Sequence, residues 1–430
     1  MQESHDSCLP GMDKILIHGG YPLSGSIKIS GSKNSALPLI AATLLTREPC
    51  ILHRVPDLSD TNYMLQILMH LGAEVERASG TVTVRAEKIE SVAPYEIVRK
   101  MRASVCVLGP LLGRCKEATV SMPGGCVIGD RPIDLHLKGF EALGSAVRVE
   151  NGNVKVFAPK LTGAVVNLQG KFGPTVLGTD NVMMAAVLAE GVTVIEGAAS
   201  EPEVVDLANF LNKMGAKIEG AGTRRMIIEG VAELHGAEHD IIPDRIETGT
   251  FLVAGAICGK GITLKRVEPE HVTCVTTALR DCGFKVELGD KTISVSPNGQ
   301  AKALELATEP FPGFPTDLQA QLMALVSRAK GTSHITETIF ENRFMHVQEL
   351  ARLGARIELD GETATIKGVD KLHGAPVMAT DLRASVSLVI AALAAEGDTL
   401  IHRVYHLDRG FEKLENKLSA CGAEIERLRS

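Results

Sequence analysis

Leu68-Met69-His70-Leu71-Gly72-Ala73-Glu74-Val75 is the stretch that decides the fold, because varied copies of it return five more times along the chain. They stand at Leu143-Gly144-Ser145-Ala146-Val147, Lys213-Met214-Gly215-Ala216-Lys217-Ile218 and Asp281-Cys282-Gly283-Phe284-Lys285-Val286. Two more are Arg352-Leu353-Gly354-Ala355-Arg356-Ile357 and Ala420-Cys421-Gly422-Ala423-Glu424-Ile425. The six glycines are 72, 71, 68, 71 and 68 residues apart, the mark of an internal repeat. Ahead of Gly72, Met64, Leu65, Leu68 and Leu71 recur at helical spacing and form one apolar stripe. Ser59 or Asp60 is placed to cap this helix, and Gly72 supplies the left-handed residue that ends it. The alternating segments 74–76 and 81–84 then read as half-buried strands.

Each repeat carries a second helix that is small and apolar all round, over 36–45, 103–112, 183–188, 251–257, 318–326 and 388–395. Such helices belong inside. Beta-branched runs at 191–195 and 261–264 supply sheet. Six units of one buried helix, one amphipathic helix and several short strands predict an α/β fold of two domains, three repeats each. The cut is expected near 240–243. Periodicity alone fits a passive repeat scaffold equally well; the placement of charge speaks against it.

With 430 residues, 45% of them hydrophobic, the chain can bury full cores. No apolar run approaches the ~18 residues of a membrane span. Residues 1–11 lack a basic start and an apolar centre, so they read as a short disordered extension rather than a secretion signal, with Met12 an alternative start. Nine scattered cysteines without Cys-x-x-Cys spacing speak against disulfides and zinc and for a reducing cytoplasm. A net charge of −7 gives no reason to expect nucleic acid.

Polar residues stand at the mouths of the buried helices: Ser32-Lys33-Asn34, Arg102, Asp244-Arg245-Ile246-Glu247, Thr316-Asp317 and Asp381-Leu382-Arg383. Capping and the helix dipole explain Asp317 and Asp381 cheaply. They do not explain Lys33, Arg102 and Arg383, whose charges oppose the dipole. Helix ends facing a shared cleft would explain them, with N–H groups and cations converging on anions. Arg343 and Arg409 add guanidiniums at loop-like positions. The loop Pro123-Gly124-Gly125-Cys126-Val127-Ile128-Gly129-Asp130-Arg131-Pro132-Ile133-Asp134 sets a thiol between glycines with Arg131 nearby to favour its thiolate. A surface loop that happens to hold a cysteine would look the same. Five Arg and one Lys (Arg102, Arg131, Arg343, Arg383, Arg409, Lys33) suffice for a substrate bearing carboxylate and phosphate groups. No Walker or Rossmann fingerprint is present. His136 and His406 are either proton donors or structural.

Taken together, Gly31-Ser32-Lys33-Asn34-Ser35-Ala36-Leu37-Pro38, Arg102-Ala103-Ser104, Pro123 to Cys126, Arg131 to Asp134, Phe314-Pro315-Thr316-Asp317, Phe340-Glu341-Asn342-Arg343-Phe344-Met345, Asp381 to Ser385 and Asp408-Arg409-Gly410 resemble the UDP-N-acetylglucosamine 1-carboxyvinyltransferases. These enolpyruvyl transferases begin bacterial peptidoglycan synthesis. The resemblance runs from about Met12 to the C-terminus. It implies a two-domain inside-out α/β barrel, three βαβ-type units around buried helices in each domain. It assigns 1–33 with 243–430 to a catalytic domain, and 34–242 to a UDP-sugar-side domain carrying the Cys loop 122–132.

The resemblance further implies that the sugar 3′-hydroxyl attacks C2 of phosphoenolpyruvate while C3 is protonated, and that phosphate leaves the tetrahedral adduct. Cys126 would be the acid, Asp317 the base or orienter, and Lys33, Arg131 and Arg409 the holders of phosphate and carboxylate. Arg102, Arg343 and Arg383 would complete the positive cage, Asp381 would be a further substrate-binding residue, and Glu201 and Asp244 would stand at further polar positions. Asn34 and Ile339 would meet the sugar, Pro132, Ile133, Asp134 and Leu135 the uracil, Lys171 and Thr175 the diphosphate. No metal or organic cofactor is implied, and the partners are the two small-molecule substrates, without nucleic acid or membrane. Fosfomycin sensitivity follows from Cys126. One departure is Gly173-Pro174-Thr175-Val176-Leu177-Gly178-Thr179-Asp180-Asn181, where Leu177 replaces a usual glycine and is expected to limit φ near the diphosphate, leaving Thr175, Gly178 and Thr179 to rebuild the cradle. The alternatives are the sister enzyme acting on shikimate 3-phosphate, which lacks the Cys126 frame, and an inactive UDP-sugar-binding paralogue.

Overall fold

The computed structural model describes residues 13–99, 101–122 and 133–429. Among the described residues, twelve α-helices of six residues or more alternate between the two expected kinds, and Tyr95–Val98 adds a single short turn. The buried ones are α1 (Lys33–Ala42), α3 (Leu108–Cys115), α5 (Val176–Ala186), α7 (Arg245–Cys258), α9 (Gln319–Val326) and α11 (Leu382–Leu393). The amphipathic ones are α2 (Ser59–His70), α4 (Asp134–Ala142), α6 (Pro202–Lys213), α8 (Thr273–Asp281), α10 (His346–Arg352) and α12 (Leu414–Ser419).

Every amphipathic helix ends on its repeat glycine, with φ of 99°, 91°, 101°, 95°, 94° and 96° in chain order. The residue after each glycine sends its N–H back five positions: Ala73 to Leu68, Ser145 to Phe140, Ala216 to Leu211, Phe284 to Leu279, Ala355 to Leu350 and Ala423 to Leu418, all at 3.0–3.1 Å. This is the Schellman closure, and it explains why glycine recurs there. The start of α2 differs from expectation. Neither Ser59 nor Asp60 caps it; the Leu58 N–H donates to Thr61 Oγ1 (3.2 Å), while Asp60 turns to Lys33.

The second buried helix also differs. Residues 102–107 form a 3₁₀ turn and only Leu108–Cys115 is α-helical. Pro110 has no N–H to give to Cys106, so a continuous α-helix across this point would lack a rung. Small residues let these helices approach closely. A Cβ on Gly109 of α3 would lie 2.3 Å from the Asn181 carbonyl oxygen of α5.

Among the described residues six four-stranded sheets accompany the helices, each with one parallel pairing and two antiparallel ones. Three of the sheets recruit a strand distant in sequence. Lys14–His18 lies between Asp398–His402 and Glu424–Leu428. Leu23–Lys28 runs parallel to Gly259–Lys265, and Glu238–Asp240 parallel to Cys50–His53.

The described residues form two bodies. One comprises 30–245 with 309–313, the other 13–29, 246–308 and 314–429. Each has its own apolar core of helix and sheet residues. The divisions fall after Ile29 and Arg245, where the motifs had placed them after 33 and 242. The reason is local bonding: the Ser32 N–H donates to Ile242 O (2.7 Å), the Asp244 N–H to Ser30 O (3.0 Å), and Gly31 bridges Pro243. Residues 309–313 join the first body, where Ser200 Oγ donates to Phe311 O (3.1 Å) and Arg245 lies 5.7 Å from the Phe311 ring. Among the described residues no helix is long and apolar enough to cross a membrane.

Candidate active site

In the second body the chain Phe314-Pro315-Thr316-Asp317 enters α9 through a 3₁₀ turn, since extended Pro315 feeds Thr316–Leu318. Asp317 therefore sits at a helix mouth, with its carbonyl held by Gln321 Nε2 (2.9 Å). Its carboxylate lies between two guanidiniums: Arg343 Nη2 donates to Oδ1 at 2.6 Å and Arg383 Nη2 to Oδ2 at 3.0 Å. Arg343 also donates to Thr316 Oγ1 (2.9 Å) and lies 5.3 Å from the Phe340 ring. The Arg side chains are 8% and 6% exposed against 24% for Asp317, so the carboxylate is the most accessible member of the trio.

Arg383 was hard to explain as the second residue of a helix, where the dipole disfavours a cation. The structure answers with acids. Asp381 caps α11 by accepting from the Arg383 and Ala384 N–H groups (2.8 and 3.0 Å), and Asp317 meets the guanidinium. Arg383 Nε is buried without a hydrogen-bond partner among the described residues. Arg409 closes the 3₁₀ segment Val404–Arg409, which packs on α11. His406 in that segment is pushed down by burial and by Arg409. His346 is pushed down to about 4 by burial. Ile339 sits half-buried beyond the strand Thr332–Thr336.

In the first body, Lys33 opens α1 with the same compensation. Its Nζ lies 2.9 Å from Asp60, and its N–H donates to Asp244 Oδ2 (3.1 Å). Asn34 follows, half-buried. A second group gathers around α4. Ile133 is buried just before it, Asp134 is exposed at its start, and half-buried Leu135 touches Gly170, where a Cβ would lie 3.2 Å from Leu135 Cδ1. Lys171 is exposed on the adjoining turn, 4.5 Å from the Phe172 ring. Half-buried Arg102 acts on His136, whose pKa burial lowers to about 3 with Arg102 as the second cause. His136 Nδ1 accepts from Asn181 Nδ2 (2.9 Å), which makes it a structural histidine. Cys126, Arg131 and Pro132 lie outside the described residues.

The 173–181 segment overturns one expectation. Leu177 lies within α5 and is not among the residues of positive φ, so replacing glycine there strains nothing. Thr175 is the N-cap and accepts from the Gly178 N–H (3.2 Å). Thr179 Oγ1 donates to Thr175 O (2.7 Å) and accepts from the Ala199 N–H (3.1 Å). The groups expected to rebuild a cradle thus hold one another.

Three polar residues were missed in the sequence. Glu337 is 1% exposed and accepts from Thr308 Oγ1 (2.9 Å), Thr316 Oγ1 (2.8 Å) and the N–H groups of Ile339 and Phe340 (2.9 and 3.2 Å). The inward alternation Ser333, Ile335, Glu337 was its signal. Asp206 joins the Ser35 hydroxyl on α1 to His239 Nε2 (2.8 Å) and the Ile242 N–H (3.3 Å). Its signal was a charge on the apolar face of α6. Asn181 ties Gly109 N–H and Val105 O to His136, with no sequence signal beyond a polar residue in an apolar helix.

A carboxylate between two guanidiniums can accept or orient a hydroxyl proton, while the cations attract a carboxylate or phosphate. The chain is similar to known proteins along nearly its whole length. Residues 17–418 match the sequence profile of the family described as EPSP synthase (3-phosphoshikimate 1-carboxyvinyltransferase). Proteins named UDP-N-acetylglucosamine 1-carboxyvinyltransferase from Akkermansia muciniphila and Methylacidiphilum infernorum are each 58% identical over 97% of this chain, which covers 99% and 100% of them. Among solved structures, the enolpyruvyl transferase NikO from Streptomyces tendae superposes with a TM-score of 0.88 at 26% identity, covering 98% of this chain and 100% of that one. An EPSP synthase from Acinetobacter baumannii shares the fold, with a TM-score of 0.75 at 16% identity over 97% of this chain and 100% of that one.

Proposed function

Because the chain belongs to the EPSP synthase family, and within it to the UDP-N-acetylglucosamine 1-carboxyvinyltransferases, we propose that it transfers the enolpyruvyl group of phosphoenolpyruvate to the 3′-hydroxyl of UDP-N-acetylglucosamine, releasing phosphate. Identity of 58% over nearly the whole of both chains carries this reading. Asp317 receives or orients the hydroxyl proton as the sugar oxygen bonds to C2. Cys126 delivers a proton to C3. The tetrahedral adduct then loses a C3 proton and phosphate together, restoring the double bond. Arg343, Arg383, Arg409, Lys33, Arg131 and Arg102 neutralise carboxylate and phosphate, and Asp381 orders the start of α11. Asn34 and Ile339 meet the sugar, Pro132 to Leu135 the uracil, and Lys171 with the Thr175 turn the diphosphate. In this role the protein acts in the cytoplasm at the first committed step of peptidoglycan synthesis, and an epoxide such as fosfomycin alkylates Cys126.

The test is phosphate release from phosphoenolpyruvate, with UDP-N-acetylglucosamine and shikimate 3-phosphate offered separately. Release with the UDP-sugar alone, lost in Cys126→Ala, is the expected result, together with a fosfomycin mass adduct that the variant lacks. Release with shikimate 3-phosphate alone, or with neither acceptor from folded protein, overturns the reading.

A further inference from the structure

A buried carboxylate is costly unless its oxygens are fully bonded. Glu337 has no ion-pair partner among the described residues, yet it is 1% exposed. Its Oε1 accepts from Thr308 Oγ1, Ile339 N–H and Phe340 N–H, and its Oε2 from Thr316 Oγ1. A carboxylate accepts and never donates, so it dictates where each hydroxyl proton points. The Thr316 proton must face Glu337, which leaves the Thr316 lone pairs for Arg343 Nη1 at 2.9 Å. With Nη1 held there, the other arm of the same guanidinium reaches Asp317 Oδ1 at 2.6 Å. Thr308 is set in the same way: it donates to Glu337 and accepts from the Thr338 N–H (2.9 Å).

We propose that Glu337 is a positioning residue of the transfer reaction, aligning Arg343 on Asp317 through the Thr316 hydroxyl while two backbone N–H groups fix Ile339 and Phe340 to the same carboxylate. The inference rests on the reading that Asp317 handles the acceptor hydroxyl. A merely structural buried acid would be replaceable by any group that keeps the loop in place. A positioning acid is sensitive to the direction of one hydrogen bond.

Glu337→Gln makes that distinction. Its carbonyl still accepts from the Ile339 and Phe340 N–H groups, while its amide donates to Thr316 and reverses that bond. Thr316→Val removes the hydroxyl and leaves Glu337 untouched, and Thr316→Ser restores it. Phosphate release with phosphoenolpyruvate and UDP-N-acetylglucosamine is measured alongside thermal unfolding. Misalignment at a reacting centre costs about 10- to 100-fold, and that loss is expected in kcat for Glu337→Gln and Thr316→Val, with KM for either substrate changed less than about threefold. Thr316→Ser returns kcat to within about threefold of the wild type on the same scale. The double variant is no slower than the slower single one, because both break one path. Equal kcat in Thr316→Val and wild type, no rescue by serine, or strictly additive losses overturns the proposal while the function stands. If Glu337→Gln does not fold, the half-exposed Thr316 pair decides alone. Wild type without UDP-sugar-dependent release overturns both this inference and the reading beneath it.

Discussion

Asp180 shows how much a single buried group can cost. It lies on α5, 1% exposed, and neither carboxyl oxygen has a hydrogen-bond partner among the described residues. Burial pushes its pKa well up, and Glu201 and Glu203 add to the rise; Cys106 is a further neighbour. Arg245 sits beside that pair, donating to both Glu203 oxygens at 3.0 and 3.1 Å. A raised folded-state pKa means that above the ordinary carboxylate range the fold keeps a proton the unfolded chain has released. Stability is therefore full in acid and falls as pH rises. Asp180→Asn removes that slope. Its advantage in unfolding free energy over wild type should widen between pH 6 and pH 8 by up to about 1.4 kcal/mol per unit. Urea unfolding at the two pH values measures it, and a constant gap would mean that the carboxyl ionises in place.

At the scale of elements, the last strand governs a distant 3₁₀ turn. Arg427 on Glu424–Leu428 holds Asp408 with two bonds (3.0 and 2.6 Å), Glu415 with one (2.7 Å) and Asp13 with another (3.3 Å). Asp408 immediately precedes Arg409, so one guanidinium pins the segment that presents a proposed substrate cation. Arg427→Gln should raise KM for phosphoenolpyruvate about tenfold, since lost hydrogen bonds to charged groups cost about 1.5–3 kcal/mol. The KM for UDP-N-acetylglucosamine should change less. Steady-state kinetics checks this, and an equal rise in both constants would assign Arg427 to stability alone.

What was legible in the sequence follows from the range of the forces involved. Helix ends are local: glycine in the left-handed region and an apolar stripe announce themselves within one turn, so all six closures could be read directly. The start of α2 could not, because Asp60 answers to Lys33, which lies outside its own helix. The cations at helix mouths were legible as anomalies, and their acid partners were not, since Asp317 with Arg343 and Arg383 closes loops of 26 and 66 residues. Glu337 stayed hidden because a glutamate beside a strand reads as surface unless its inward register is noticed.

For the whole molecule, the relevant fact is that each body owns a separate core. Damage to one should spare the other. Ile15 is fully buried and pairs with Ile401 and Arg427 on its two flanks. Ile15→Asp places an unpaired charge in the second body's core, a change in the severely destabilising class. Scanning calorimetry should show the transition of that body lost or strongly lowered and the other within a few degrees of wild type. Simultaneous loss of both would show that the bodies unfold as one.

The strand Lys14–His18, lying between Asp398–His402 and Glu424–Leu428, sets an order of events in the cell. Residues 30–245 leave the ribosome as a nearly complete body. The strand made before them has no partners until the last repeat emerges, which at about 5–20 residues per second is a wait of roughly 20 to 80 s. Throughout that interval Ile15 and Ile17, both fully buried in the finished protein, remain a nascent apolar segment open to chaperones.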